Sequence, residues 1–217
     1  VRDVLALHAG FGEVYRVTAD LAARNYRFEE AVALAKQATT LDPTSARAYG
    51  DLGMHLLRTG DEADARTALD RSSSADRFNR VTYNLLLLLD KLDGFTVDKE
   101  GDVVVKMHPD EAPVLREYAL PLARDALKAL SAKYQFTPKG PILIEIFPVH
   151  DDFAVRNLGL PGMIGALGAC FGRVVTMDSP KARPPGEFSW QATLWHEIAH
   201  VITLQVSNQR VPRWLTE

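Results

Sequence analysis

The apolar positions in the first half of the chain recur with a period of about 34 residues. Tyr15, Tyr49 and Tyr83 fall on the same phase, and the same offset pairs Ala31 with Ala65, Ala35 with Leu69 and Gly60 with Gly94. A period of that length predicts helix-turn-helix units stacked side by side, with the third unit keeping only its first helix. The run Leu85–Leu89 is apolar around the whole helix, which predicts burial on all sides, between the stacked helices and whatever follows. From Phe95 the pattern changes. Phe95-Thr96-Val97 and Val103-Val104-Val105 flank a polar Lys99-Glu100-Gly101-Asp102 and predict a hairpin. Pro109 to Lys133 has a helical apolar side, marked by Leu115, Tyr118, Leu120, Leu122, Ala123, Leu127 and Leu130, with Pro121 as a kink. Pro141 to Phe147 is a buried strand except for Glu145, which is expected on a solvated edge, the alternative being that it faces the cleft. A ladder of Gly159, Gly162, Gly165, Gly168 and Gly172 leads into a strand over Arg173 to Asp178. The last pattern, Phe188 to Val206, has no Gly or Pro and predicts a helix with Ser189 as N-cap. The fold class expected is α+β, helices first and a mixed sheet and helix region after them.

The middle unit is the most regular. Tyr49, Leu52, Gly53, Gly60, Ala65 and Leu69 occupy the aromatic, apolar and small positions where two helices pack closely, and Pro43 ends the unit before it. It resembles a tetratricopeptide repeat, which assigns residues 1–94 to a repeat domain serving protein interaction or spacing. The departures are Tyr26 where Gly60 and Gly94 stand, and Arg77 in place of proline.

Within the last helix stands His196-Glu197-Ile198-Ala199-His200. At about 100° per residue, positions four apart lie nearly over one another, so two imidazoles can converge on one ion with Glu197 beside it. Two histidines would be costly to bury in so apolar a helix unless bonded, and Zn2+ is the partner expected. A catalytic zinc has three protein ligands and an open position. Beyond Val201 the only acid is Glu217, preceded by Pro212 at a helix-starting position. It is the candidate third ligand; the alternative is an ordinary carboxylate in a first helical turn. Thr203 and Val206 stand where a metzincin has Gly and His, so that class is excluded.

His196 to His200 followed by Arg213-Trp214-Leu215-Thr216-Glu217 resembles the gluzincin zinc metallopeptidases, in particular the peptidase MA-like group. The resemblance implies His196, His200 and Glu217 as metal ligands and Glu197 as general base, in an incomplete domain over 95–217 truncated at its C-terminal end. It also implies an edge strand beside the metal, to which an extended peptide adds antiparallel. Arg173, Val174, Val175 and Thr176 are the residues expected to bind substrate in that way, with Gly165–Gly172 either the lip of the cleft or an ordinary surface loop. The activity expected is a metalloendopeptidase acting on a peptide or protein. Two rivals stand beside it: an interaction module whose protease-like half is catalytically silent, and a zinc hydrolase of non-peptide amides or esters.

Composition narrows the field little. Lys and Arg number 25 against 28 Asp and Glu, a net charge of −3, which leaves no basic footprint for nucleic acid. One cysteine, Cys170, excludes an internal disulfide and is expected to be buried. No apolar run approaches the roughly 18 residues that span a bilayer. The glycine ladder lacks the Gly-Lys-Ser/Thr ending of a phosphate loop. His8, His55, His108 and His150 have no partner spacing and are read as surface or satisfied side chains. The chain starts at Val1 and reads as a piece of a longer protein, so the bacterial cytoplasm and the cell envelope both stay open. With Glu217 at a chain end, its helix unsupported, the chain alone need not hold zinc or turn over substrate.

Overall fold

A computed structural model describes residues 1–212 and 214. After a short α1 (Arg2–Leu7), five helices follow in antiparallel pairs: α2 (Glu13–Arg24) with α3 (Phe28–Leu41), α4 (Ala46–Thr59) with α5 (Glu62–Ala75), and α6 (Arg80–Leu92) unpaired at the end. Their ends are set by local chemistry. Ser45 caps α4 by accepting from the Ala48 amide, and Asn79 caps α6 through Thr82. Gly60 closes α4 in the left-handed region at φ 83°. In the first unit Tyr26 takes a left-handed φ of 61°, a conformation that a residue with a Cβ adopts at a cost of about 1–2 kcal/mol. The close approach expected at Gly53 is real: a Cβ there would sit 2.5 Å from Leu69 Cγ.

The chain then forms β1 (Thr96–Glu100), β2 (Val103–Met107), α7 (Ala112–Tyr134), β3 (Ile142–Phe147), α8 (His150–Leu158), β4 (Gly168–Cys170), β5 (Val174–Asp178), a 3-10 turn at Pro180–Ala182 and α9 (Trp190–Val206). The strands make one mixed sheet in the order β1-β2-β3-β5-β4. The hairpin β1–β2 is antiparallel, β2–β3 and β3–β5 are parallel, and β4 lies antiparallel on β5 with Ala169 opposite Thr176. Alternation sorts the strand residues. Val105, Ile144, Ile146, Val175 and Met177 join α7 and α9 in one hydrophobic cluster, whereas Phe147 faces α8 and the repeat helices.

The two halves of the chain share their cores. Ala22, Ala23, Phe28 and Ala31 of the first repeat unit belong to the cluster of the sheet and α9, and Phe153 and Val155 of α8 belong to that of the repeat. Arginines from the second half also donate to carbonyls at the C-terminus of α4: Arg156 Nη2 to Leu57 O at 2.8 Å and Arg173 Nε to Thr59 O at 3.0 Å.

Four local expectations need correction. Leu87 is 44% exposed, so α6 is not buried all round; it packs on α5 on one side and α8 on another, leaving a third side in water. Tyr118 is 58% exposed, and the buried side of α7 runs instead through Leu115, Ala119, Ala123, Ala126 and Leu130. Glu145 lies on the central strand β3, not on a solvated edge; it is fully buried and bonded at 2.7 Å to the equally buried Arg156. Finally, β5 is an interior strand, buried from Val174 to Asp178 between β3 and β4. The edge expected of Arg173–Asp178 therefore belongs to β4, and Val174, Val175 and Thr176 have no free strand edge to offer a peptide. Arg173 precedes β5 and turns its guanidinium toward α4. Among the described residues no helix is long and apolar enough to cross a membrane.

Candidate functional site

Helix α9 begins where its sequence says it should, with the Ser189 hydroxyl accepting from the Ala192 amide. Leu194, Ile198, Val201 and Ile202 anchor one side of it in the core beneath the sheet. That anchoring turns positions 196, 197 and 200 toward a cleft. His196 is exposed and His200 half-buried, so the cost of burying two imidazoles does not arise here. The rings stand one helical turn apart, 4.6 Å between centroids and at 83° to one another, and their Nε2 atoms converge to 3.0 Å.

That convergence tests whether the pair fits a metal. Two nitrogens each about 2.05 Å from a tetrahedral zinc are separated by about 3.3 Å. The observed spacing is a few tenths of an ångström shorter, and the atoms that approach are the ring nitrogens that bear lone pairs in the appropriate tautomer. The pair therefore fits two corners of such a site. Glu217, the expected third ligand, lies outside the described residues, as do Arg213, Leu215 and Thr216. Among the described residues no group of three His, Cys, Asp or Glu is arranged to hold a metal.

Glu197 is buried, 6% exposed, and its carboxyl group presses on the edge strand: a Cβ added to Gly168 would meet Glu197 Oε1 at 2.6 Å and Cγ at 2.7 Å. Only a glycine at the start of β4 leaves room for that side chain. The strand thus lies directly beside the candidate base, and its residues line the same cleft. Cys170, at the end of β4, is buried, and burial pushes its thiol well above the ordinary range, so it stays protonated at pH 7.

The cleft has a volume of about 930 Å3. One wall is α9, another is the segment Gly165–Phe171 expected to form the lip, and the third comes from the repeat, through Asp20, Arg24, Tyr26, Phe28 and Arg58. The repeat wall is the part that the sequence did not disclose. Its one local sign was Tyr26 in a slot where the other units carry glycine, and the strained backbone there now places that residue on the cleft.

Of the remaining histidines, His8, His108 and His150 are surface or bonded groups, whereas the buried His55 has no hydrogen-bond partner among the described residues at Nε2, which lies 3.5 Å from Asp20 Oδ1. His8 is exposed, and His108 half-exposed against the Phe95 ring. His150 Nδ1 lies 2.8 Å from the buried Asp178, which also accepts from Arg183 Nε at 2.9 Å; this cluster ties the start of α8 to the end of β5. His55 is buried in the repeat, its Nδ1 3.3 Å from Arg58.

A family model described as Tetratricopeptide repeat matches residues 22–87. That span runs from the end of α2 into α6, and the N-terminal helices are tetratricopeptide-type repeats, an architecture that suggests protein partners. No curated protein matches the chain, and no solved structure does.

Proposed function

We propose that this protein is a zinc-dependent peptidase whose repeat domain forms part of the substrate cleft. One observation carries the reading: two imidazoles converge to 3.0 Å on a helix whose intervening Glu197 is lodged against an edge strand. The zincin-like character of the sheet and helix region belongs to the same proposal. It is supported by the mixed sheet, its antiparallel edge strand β4, and the placement of α9 along it.

His196 and His200 would hold the ion, with Glu217 as the proposed third ligand. Zinc bound there would lower the pKa of a coordinated water to about 7 and polarise a carbonyl. Glu197 takes the proton from the attacking water and returns it to the departing amine as the peptide C–N bond breaks. Its burial holds the carboxylate in one place, and Gly168 sets that place. An extended substrate adds to the free edge of β4, antiparallel, which aligns its carbonyls along the cleft. This moves the proposed substrate contacts from Arg173–Thr176 to Gly168–Cys170.

The full-length protein should bind one equivalent of Zn2+ in native mass spectrometry and cleave an unfolded protein such as casein, and His196→Ala should abolish both. Failure to bind zinc, or zinc retained in full by His196→Ala, would overturn the reading. A subtler expectation concerns Gly168→Ala. The added methyl meets the far end of a side chain rather than backbone, so the fold survives and the carboxylate moves. Displacement by about an ångström should lower kcat on the order of 100-fold, with zinc content unchanged. Full activity in that variant would show that Glu197 does not work from the position it occupies beside β4.

A further inference from the structure

Arg58, near the end of α4, reaches the cleft that holds the histidine pair. Its Nη1 lies 3.3 Å from His55 Nδ1, and its Cζ stands 5.9 Å from the Phe171 ring centroid. Its Nε is buried without a hydrogen-bond partner. Among the described residues no carboxylate forms an ion pair with it. The acids nearby are engaged elsewhere: Asp51 bonds Arg16 at 2.6 Å, and Asp20 lies 3.5 Å from both Arg16 Nη1 and His55 Nε2. A second buried cation, Arg156, already bonded to Glu145, acts on Arg58 by repulsion.

Burial lowers the Arg58 pKa to about 10, which still leaves the group charged at pH 7. A desolvated guanidinium that feels Asp20 and Asp51 only at a distance and has no direct ion pair among the described residues is unfavourable, and a carboxylate arriving from the cleft relieves it. Nε is shut away from solvent and His55 takes up Nη1, so Nη2 is the nitrogen left to meet a carboxylate through a charge-assisted hydrogen bond. We infer that Arg58 is a specificity residue that receives a carboxylate of the bound peptide, supplied either by a free C-terminus or by an acidic side chain. The choice of a peptide as carrier rests on the peptidase reading above; the anion site itself does not. It gives the repeat domain a role in choosing substrate.

Binding without turnover separates the two claims. Fluorescein-labelled hexapeptides of alanine and glycine would be titrated by fluorescence anisotropy into the Glu197→Gln protein, with and without added Zn2+. One is a neutral C-terminal amide, one has a free C-terminal carboxylate, and a set of amides carries Glu at successive internal positions. At least one carboxylate peptide should bind about tenfold or more tightly than the neutral amide. Preference for the free acid identifies the terminus as the source, and preference at one internal Glu identifies a side chain. Arg58→Met should reduce that affinity to the level of the amide, and Arg58→Lys should keep part of the preference. Equal affinities, no binding of any carboxylate peptide, or a preference that survives Arg58→Met would overturn the inference. An Arg58-dependent preference in a protein that binds no zinc would remove the peptidase reading alone; zinc-dependent cleavage without the preference would remove this one alone.

Discussion

Glu197→Gln is expected to leave zinc content and thermal stability essentially unchanged while lowering peptide turnover by about 10²–10⁴-fold, the usual contribution of a positioned general base. The substitution keeps the volume and shape of a buried side chain that fits closely against Gly168, so neither α9 nor β4 has reason to move. It removes only the ability to accept a proton from water. Glu197→Asp makes the complementary point. It retains a carboxylate but withdraws it by one methylene from a position fixed by backbone on one side and the core beneath α9 on the other, so it should lose activity too. A base acting through geometry fails in both variants; a carboxylate acting only through its charge survives the second. Undiminished proteolysis by Glu197→Gln, measured with zinc content on the same sample, would remove Glu197 as the base.

The parts of this arrangement that could be read from the chain are those that depend on near neighbours. The helix carrying His196 and His200 follows from the apolar spacing and from Ser189, and the repeat follows from Tyr15, Tyr49 and Tyr83 and the small residues at Gly53 and Ala65. What could not be read depends on which distant elements meet. Glu145 looks like an edge residue because a strand pattern shows only its own side chains, whereas its partner Arg156 lies on the next helix and its surroundings include the end of α4. β5 looks like the edge strand for a related reason. β4 is a short run of small residues, Gly168-Ala169-Cys170, with little apolar signal, and β5 next to it is strongly apolar. Unbroken burial is in fact the mark of an interior strand covered on both faces, as β5 is. The contribution of Asp20, Tyr26 and Arg58 to the cleft arises because the first repeat unit packs into the core of the sheet and α9, a contact no local pattern announces.

The largest stability effect is expected at Arg156. It is fully buried with Glu145, bonded to it at 2.7 Å, and its Nη2 reaches Leu57 O on the repeat side. Arg156→Met leaves the Glu145 carboxylate inside the protein with no cation bonded to it, which typically costs about 3–5 kcal/mol. Burial already pushes the Glu145 pKa upward against the pull of Arg156, so losing the arginine should push it further and favour the protonated acid. The sign of the pH dependence follows. With the folded pKa raised above the unfolded one, the native state binds more protons, so the penalty of the variant is smallest at low pH and grows as pH rises through the folded pKa. Urea unfolding at a series of pH values should show this, with Tm at neutral pH lower by roughly 6–20 °C for a chain of this size. Glu145→Gln combined with Arg156→Met removes both charges and should recover most of the loss. If Arg156→Met unfolds like the parent at every pH, the ion pair contributes nothing to joining the sheet to the repeat. A large loss relieved in the double variant would show instead that this pair fastens the repeat wall of the cleft to the strand layer behind it.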